Sequence, residues 1–180
     1  ILGLYFAEKL EVADLAEIKE LKKDILRLPS QVEEILKNLE EVKAFAKKVY
    51  KEKDMFFLGR GTDYAVSLEG SLKLKEISYI HSEAYASGEL KHGPIALIEN
   101  GITVVATMTD KKLVEKSISN VQEVVTRGAK VLLITSEDIK NDGFDTVIKI
   151  PKTNPFISPI LSVIPMQVLS YYISKEKGLD

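Results

Sequence analysis

The chain has 180 residues, a formal net charge of −2, 45% hydrophobic residues and no cysteine. That apolar content excludes a disordered chain, and Lys and Arg are spread along the sequence instead of forming the basic block a nucleic-acid partner would need. Without cysteine there is no disulfide, thiolate nucleophile or Cys-ligated zinc, and two histidines cannot complete a typical structural zinc site.

No apolar run is long enough to span a bilayer, because charges interrupt every segment. A cytoplasmic location is expected. The opening ILGLYFAEKLEVADL is apolar but has no preceding basic segment and no small-residue cleavage site. It is expected to be the end of a buried helix and not a signal peptide. A start at Ile1 fits a fragment or a processed chain.

From Leu15 to Leu28, apolar positions Ile18, Leu21, Ile25 and Leu28 recur at helical spacing. Pro29 and Ser30 punctuate this run. Ser30 reads as the N-cap of a new helix, with Glu33 three residues on completing a capping box. Another helix is expected from about Leu39 to Tyr50. After Lys53 the pattern changes. Met55–Leu58, Thr103–Thr107, Val131–Thr135 and Val147–Ile150 read as buried strands, and Asp63–Ile80, Lys111–Thr126 and Ser158–Lys175 as helices. This alternation predicts an α/β domain, a three-layer α/β/α arrangement around a mainly parallel sheet, preceded by helices that dock on it or on a neighbour. Phe57, Leu58, Val104, Val105, Leu132, Leu133 and Ile148 are its expected core.

Gly59-Arg60-Gly61-Thr62 follows the first strand and opens a helix. Ligands in open parallel sheets sit at such strand ends, and helix N-termini there attract anions. A plain tight turn explains the same residues. Neither GxGxxG nor GxxxxGK[ST] is present, so nucleotide binding is not supported.

On the next helix, Lys73 lies about 40° and Glu76 about 20° from Glu69 around the helix axis. Leu72, Ala65, Val66 and Ile80 flank the three charges, which predicts a Glu–Lys–Glu line on an apolar face. Buried charges are costly unless paired, and that cost is met most often at functional sites. The chemistry that suits the line is proton abstraction beside a carbonyl or imine, with a carboxylate as base and an ammonium against developing negative charge. A surface i,i+4 salt bridge is the plain alternative. Burial should raise the pKa of Glu76 and Lys73 should lower it. His81 is expected to end the helix in a structural role. His92, in the turn Gly88-Glu89-Leu90-Lys91-His92-Gly93-Pro94, is placed for acid–base work or for simple exposure.

The stretch FLGRGTDYAVSLEGSLKLKEISYIHSEAYASGELKHGPIALI closely resembles the second sugar-isomerase (SIS) domain of the glutamine–fructose-6-phosphate aminotransferase family, and the resemblance extends over essentially the whole chain. It implies a flavodoxin-like sheet. It further implies a helical segment at 1–44, the end of a first SIS domain and a connection, and a second SIS domain at 45–180. Family members make glucosamine 6-phosphate from fructose 6-phosphate and glutamine. Their isomerase uses no metal or organic cofactor. By motif, Glu76 corresponds to the base that moves a proton between C1 and C2, Lys73 to its charged neighbour, Glu69 to an orienting partner and His92 to a ring-opening histidine. The resemblance places that histidine in the neighbouring subunit's site, so the partners it implies are a sugar phosphate and a second copy, with no nucleic acid and no membrane. The family's Ser-Gln-Ser-Gly-Glu-Thr phosphate motif and its nucleophilic cysteine do not occur here, and the lysine-bearing tail would begin after Asp180. A fragment inactive on its own is therefore expected. A different paired-SIS phosphosugar isomerase or deglycase, or a non-enzymatic phosphosugar-binding module, is the alternative.

Overall fold

The computed structural model describes residues 1–140 and 143–179; of the expected 45–180 domain, 141, 142 and 180 therefore lie outside the described residues. In chain order the elements are α1 (Leu2–Lys9), α2 (Leu15–Lys37), α3 (Glu40–Val49), β1 (Asp54–Gly59), α4 (Thr62–Ser78), β2 (His81–Ala86), β3 (Thr103–Met108), α5 (Val114–Thr126), β4 (Lys130–Thr135), β5 (Thr146–Lys149) and α6 (Ser158–Glu176). Two short 3-10 turns, Leu90–His92 and Pro94–Leu97, lie between β2 and β3.

All four pairings are parallel, and the strand order is β2-β1-β3-β4-β5. This is the flavodoxin-like order, with its switch point between β1 and β3. One face of the sheet packs Met55, Phe57, Val105, Leu132 and Ile134 against α2, α3, α4 and α6. The other packs Leu58, Val104, Ala106 and Leu133 against α5 and the 3-10 turns. Cover on both faces explains why β3 is buried at every position and shows no alternation of exposed and buried residues. The seven expected core residues are all buried, and the three-layer α/β/α expectation holds.

Four local expectations do not hold. Pro29 does not end a helix, and Ser30 is not an N-cap. Helix α2 runs through both, its N-cap is Asp14, and the Ser30 hydroxyl donates back to the Arg27 carbonyl. A proline inside a helix costs about 3 kcal/mol. Burial of Ile18 and Ile35 on either side, with Leu28 and Val32 against the core, offsets it. The opening segment does form a helix, but no residue of α1 is buried: Ile1, Leu2, Tyr5, Phe6 and Leu10 are all exposed. Its apolar side meets chiefly α2, too little surface to cover it. Helix α5 begins at Val114, because Lys111–Leu113 form a turn. Finally, α4 stops at Ser78, with Tyr79 left-handed at its C-cap, and His81 opens a strand.

Candidate active site

The end of β1 is shaped by glycine. A Cβ on Gly59 would lie 2.3 Å from the Asp63 carbonyl carbon, so only glycine lets the first turn of α4 fold back onto the strand. Gly61 has φ 59°. These two positions account for the glycines of the Gly59–Thr62 turn. Asp63 then ties the turn to the next strand end. It is 5% exposed and accepts hydrogen bonds from Thr109 N (2.7 Å) and Thr109 Oγ1 (2.5 Å). Thr109 Oγ1 also takes the Ser158 hydroxyl at 2.9 Å. Burial raises the Asp63 pKa, and the Thr109 hydrogen bonds oppose the rise. Sequence reasoning missed this residue, because its partner lies 46 positions away in a loop without a motif.

Helix α4 brings the three predicted charges together. Lys73 Nζ donates to Glu76 Oε2 at 2.7 Å and stands 3.6 Å from Glu69 Oε1. The hydrogen bond to Glu76 holds the Lys73 ammonium above its ordinary pKa. The line is not buried, however: the side chains of Glu69, Lys73 and Glu76 are 44%, 32% and 47% exposed. Leu68 and Leu72 beside them are also exposed. The face of α4 that meets the sheet and α6 is Val66, Ser67, Gly70, Ser71, Leu74 and Ser78. Small side chains let α4 approach closely, so its charged and leucine-bearing side turns outward. The arrangement is an accessible carboxylate pair bridged by one ammonium.

His92 closes the first 3-10 turn after β2. Its side chain is 74% exposed, and its Nε2 lies 4.0 Å from Glu89 Oε2. Among the described residues, no hydrogen bond or ion pair joins it to Glu69, Lys73 or Glu76. The loop around it is anchored: Ser87 N donates to Gly59 O, Gly88 lies against the Arg60 guanidinium, and Leu90 is buried.

His81 does not cap α4, which corrects the expected role. It sits on edge strand β2, with Nδ1 2.8 Å from Asp54 Oδ1. Glu83 and Tyr85 continue the row, the Tyr85 hydroxyl donating to Glu83 Oε2. That bond raises the Tyr85 pKa to about 12. The strand escaped detection because its inward positions are Ser82, Ala84 and Ala86, which leave no apolar run.

Among the described residues, no group of three or more His, Cys, Asp or Glu side chains is placed to hold a metal ion. A cavity of about 880 Å³ lies between α1, α2 and Phe156, but none of the predicted site residues lines it. It is an apolar gap beside two exposed helices. No described helix is long and apolar enough to cross a membrane.

A family model described as SIS domain matches residues 48–174. The chain belongs to the SIS domain family. Over 99% of its length it is 57% identical to the glutamine–fructose-6-phosphate aminotransferase (isomerizing) of Clostridium perfringens, and it spans 30% of that protein. It is 55% identical over 100% of its length to the protein of the same name from Clostridium tetani, again spanning 30% of it. The solved C-terminal domain of glucosamine-fructose-6-phosphate aminotransferase from Francisella tularensis matches with a TM-score of 0.93 and 36% identity, covering 99% of this SIS chain and 51% of that one. This SIS chain thus corresponds to less than a third of the length of these curated relatives.

Proposed function

We infer that this chain is the second isomerase unit of a glucosamine-6-phosphate synthase. One observation carries the reading: an accessible carboxylate, Glu76, is held at 2.7 Å by an ammonium, Lys73, on an outward face of a helix at the edge of the SIS sheet. Lys73 occupies one carboxylate oxygen of Glu76, which leaves Oε1 for a substrate proton. In this reading Glu76 takes the proton from C1 of the sugar–ammonia adduct and returns it to C2. Lys73 offsets the negative charge that develops meanwhile, and Glu69 orients Lys73. His92 opens the sugar ring in the site of a neighbouring copy, which fits an exposed imidazole with no hydrogen bond or ion pair to the α4 charges among the described residues. The partners are therefore a sugar phosphate, fructose 6-phosphate or glucosamine 6-phosphate, and a second subunit. Neither nucleic acid, membrane, metal nor organic cofactor enters. The site is cytoplasmic, and residues 1–44 form a helical segment ahead of a domain at 45–180. The exposed apolar surface of α1 and the outward face of α4 fit a chain that works packed against further protein.

The test is a chimaera in which this chain replaces the matching segment of the Clostridium perfringens relative. The chimaera is expected to form glucosamine 6-phosphate from fructose 6-phosphate and glutamine, while the 180-residue chain alone forms none. A chimaera that hydrolyses glutamine but makes no amino sugar, although folded, would remove the reading.

A further inference from the structure

We propose that helix α5 positions the His92 imidazole, with Glu123 acting through Lys91 and Asn120 acting through Ser87. The proposal rests on the reading of His92 given above. The imidazole itself is 74% exposed, and its nearest carboxylate is 4.0 Å away, so its own contacts do not fix where it points. The backbone that carries it is fixed instead, at three places along α5. Ser87, 1% exposed, sits 3.4 Å from Asn120 Nδ2 through its hydroxyl. Leu90, 1% exposed, packs in the cluster that contains Val121 and Val124. Lys91, immediately before His92, pairs its Nζ with Glu123 Oε1. Positions 120, 121, 123 and 124 recur at the spacing of one helical face, so a single rigid element holds the whole loop.

The Lys91–Glu123 pair has 53% and 33% of its side chains exposed. A pair that open to water contributes little to stability. Its consequence lies in aim: displacing a catalytic group by about 1 Å can cost up to about 100-fold in rate. A pair that positions His92 therefore shows in turnover and not in melting temperature. A pair that only stabilises the fold shows the opposite.

The experiment uses a full-length aminotransferase carrying this chain, with Lys91→Glu, Glu123→Lys, the two combined, Glu123→Gln and a His92→Asn control. Amino-sugar formation gives kcat and KM for fructose 6-phosphate, and glutamine hydrolysis and Tm are followed alongside. Each single swap is expected to lower kcat on the order of tenfold with KM and Tm unchanged, and the combined swap to recover to within about twofold. Glu123→Gln, which keeps the shape, is expected to lose less in the same direction, and it decides the matter if a swap does not fold. Single swaps that keep kcat, or a combined swap that does not recover it, overturn the proposal. If His92→Asn abolishes amino-sugar formation while the α5 variants do not reduce it, positioning by α5 fails and the His92 reading stands. If His92→Asn itself has the normal rate, both fall together.

Discussion

Gly70 of α4 and Met166 of α6 meet so closely that a Cβ on Gly70 would come within 2.2 Å of Met166 Sδ. The same Cβ would lie 3.1 Å from Phe57 Cε1, and both Met166 and Phe57 are 0% exposed. The helix carrying Glu69, Lys73 and Glu76 is therefore seated by a residue without a side chain.

Gly70→Ala is expected to destabilise the chain. Alanine gains about 0.5–1 kcal/mol in helix propensity, but overpacking a closed core costs about 1–3 kcal/mol. The net loss should shrink in a Met166→Ala background, where the sulfur is gone. Urea unfolding of the four variants measures this. An equal loss in both backgrounds would show that the contact is not the cause.

Removing Asp63 strands two donors of Thr109. Asp63→Ala is expected to cost about 1–3 kcal/mol for the unpaired groups. The pH dependence has a defined sign. Burial raises the folded pKa above the ordinary 3.8, so the folded state holds a proton where the unfolded chain has released it. The stability this group contributes is full below 3.8 and is lost as pH rises through the folded value. Relative to Asp63→Asn, wild-type stability should fall as pH increases from 3.8. Denaturant midpoints of the two proteins across that range measure the difference; a rising difference would contradict the desolvation account.

Tyr79 holds φ 58° and ψ 18° at the end of α4, with 76% of its surface exposed. A left-handed backbone costs a non-glycine residue about 1–2 kcal/mol. Tyr79→Gly is expected to raise stability by about 0.5–1 kcal/mol after the added freedom of the unfolded chain is counted. A fall in thermal midpoint would mean that the exposed ring has a contact that matters.

Much of this was legible in the sequence, for identifiable reasons. The β1–turn–α4 unit announced itself because an apolar run ends in Gly59, and the Glu69, Lys73 and Glu76 grouping because it depends only on helical spacing. Their exposure was not legible: the buried face of α4 uses Ser67, Gly70, Ser71 and Ser78, which hydropathy reads as polar although sheet and α6 cover them. Strand β2 was hidden by its small inner residues and by a helix stop made at Tyr79 without glycine or proline. The Asp63–Thr109 tie joins distant positions, and no local pattern encodes it. The continuity of α2 through Pro29 is a tertiary override, set by burial at Ile18 and Ile35.

The outward side of α4 gives an assembly prediction. Leu68 and Leu72 are 48% and 43% exposed beside the charged row. In a full-length aminotransferase carrying this chain, this side and the loop from Ala84 to Pro94 are expected to lie at or near a subunit contact burying more than about 1,200 Å². Sedimentation at micromolar concentration should show a dimer, and Leu72→Glu should weaken it. A strict monomer in wild type would remove the role given to His92 across subunits.

The most direct test of the account is proton exchange at C1 and C2 of the sugar phosphate in a full-length aminotransferase carrying Glu76→Gln. Glutamine keeps the shape of the side chain and cannot take the proton. Loss of a positioned base costs about 10²–10⁴-fold. Exchange should fall by that order while glutamine hydrolysis continues, and Glu69→Gln, which removes only an orienting charge, should fall less. Exchange at the normal rate in Glu76→Gln would contradict Glu76 as the base and leave the pair at 2.7 Å as an ordinary surface salt bridge.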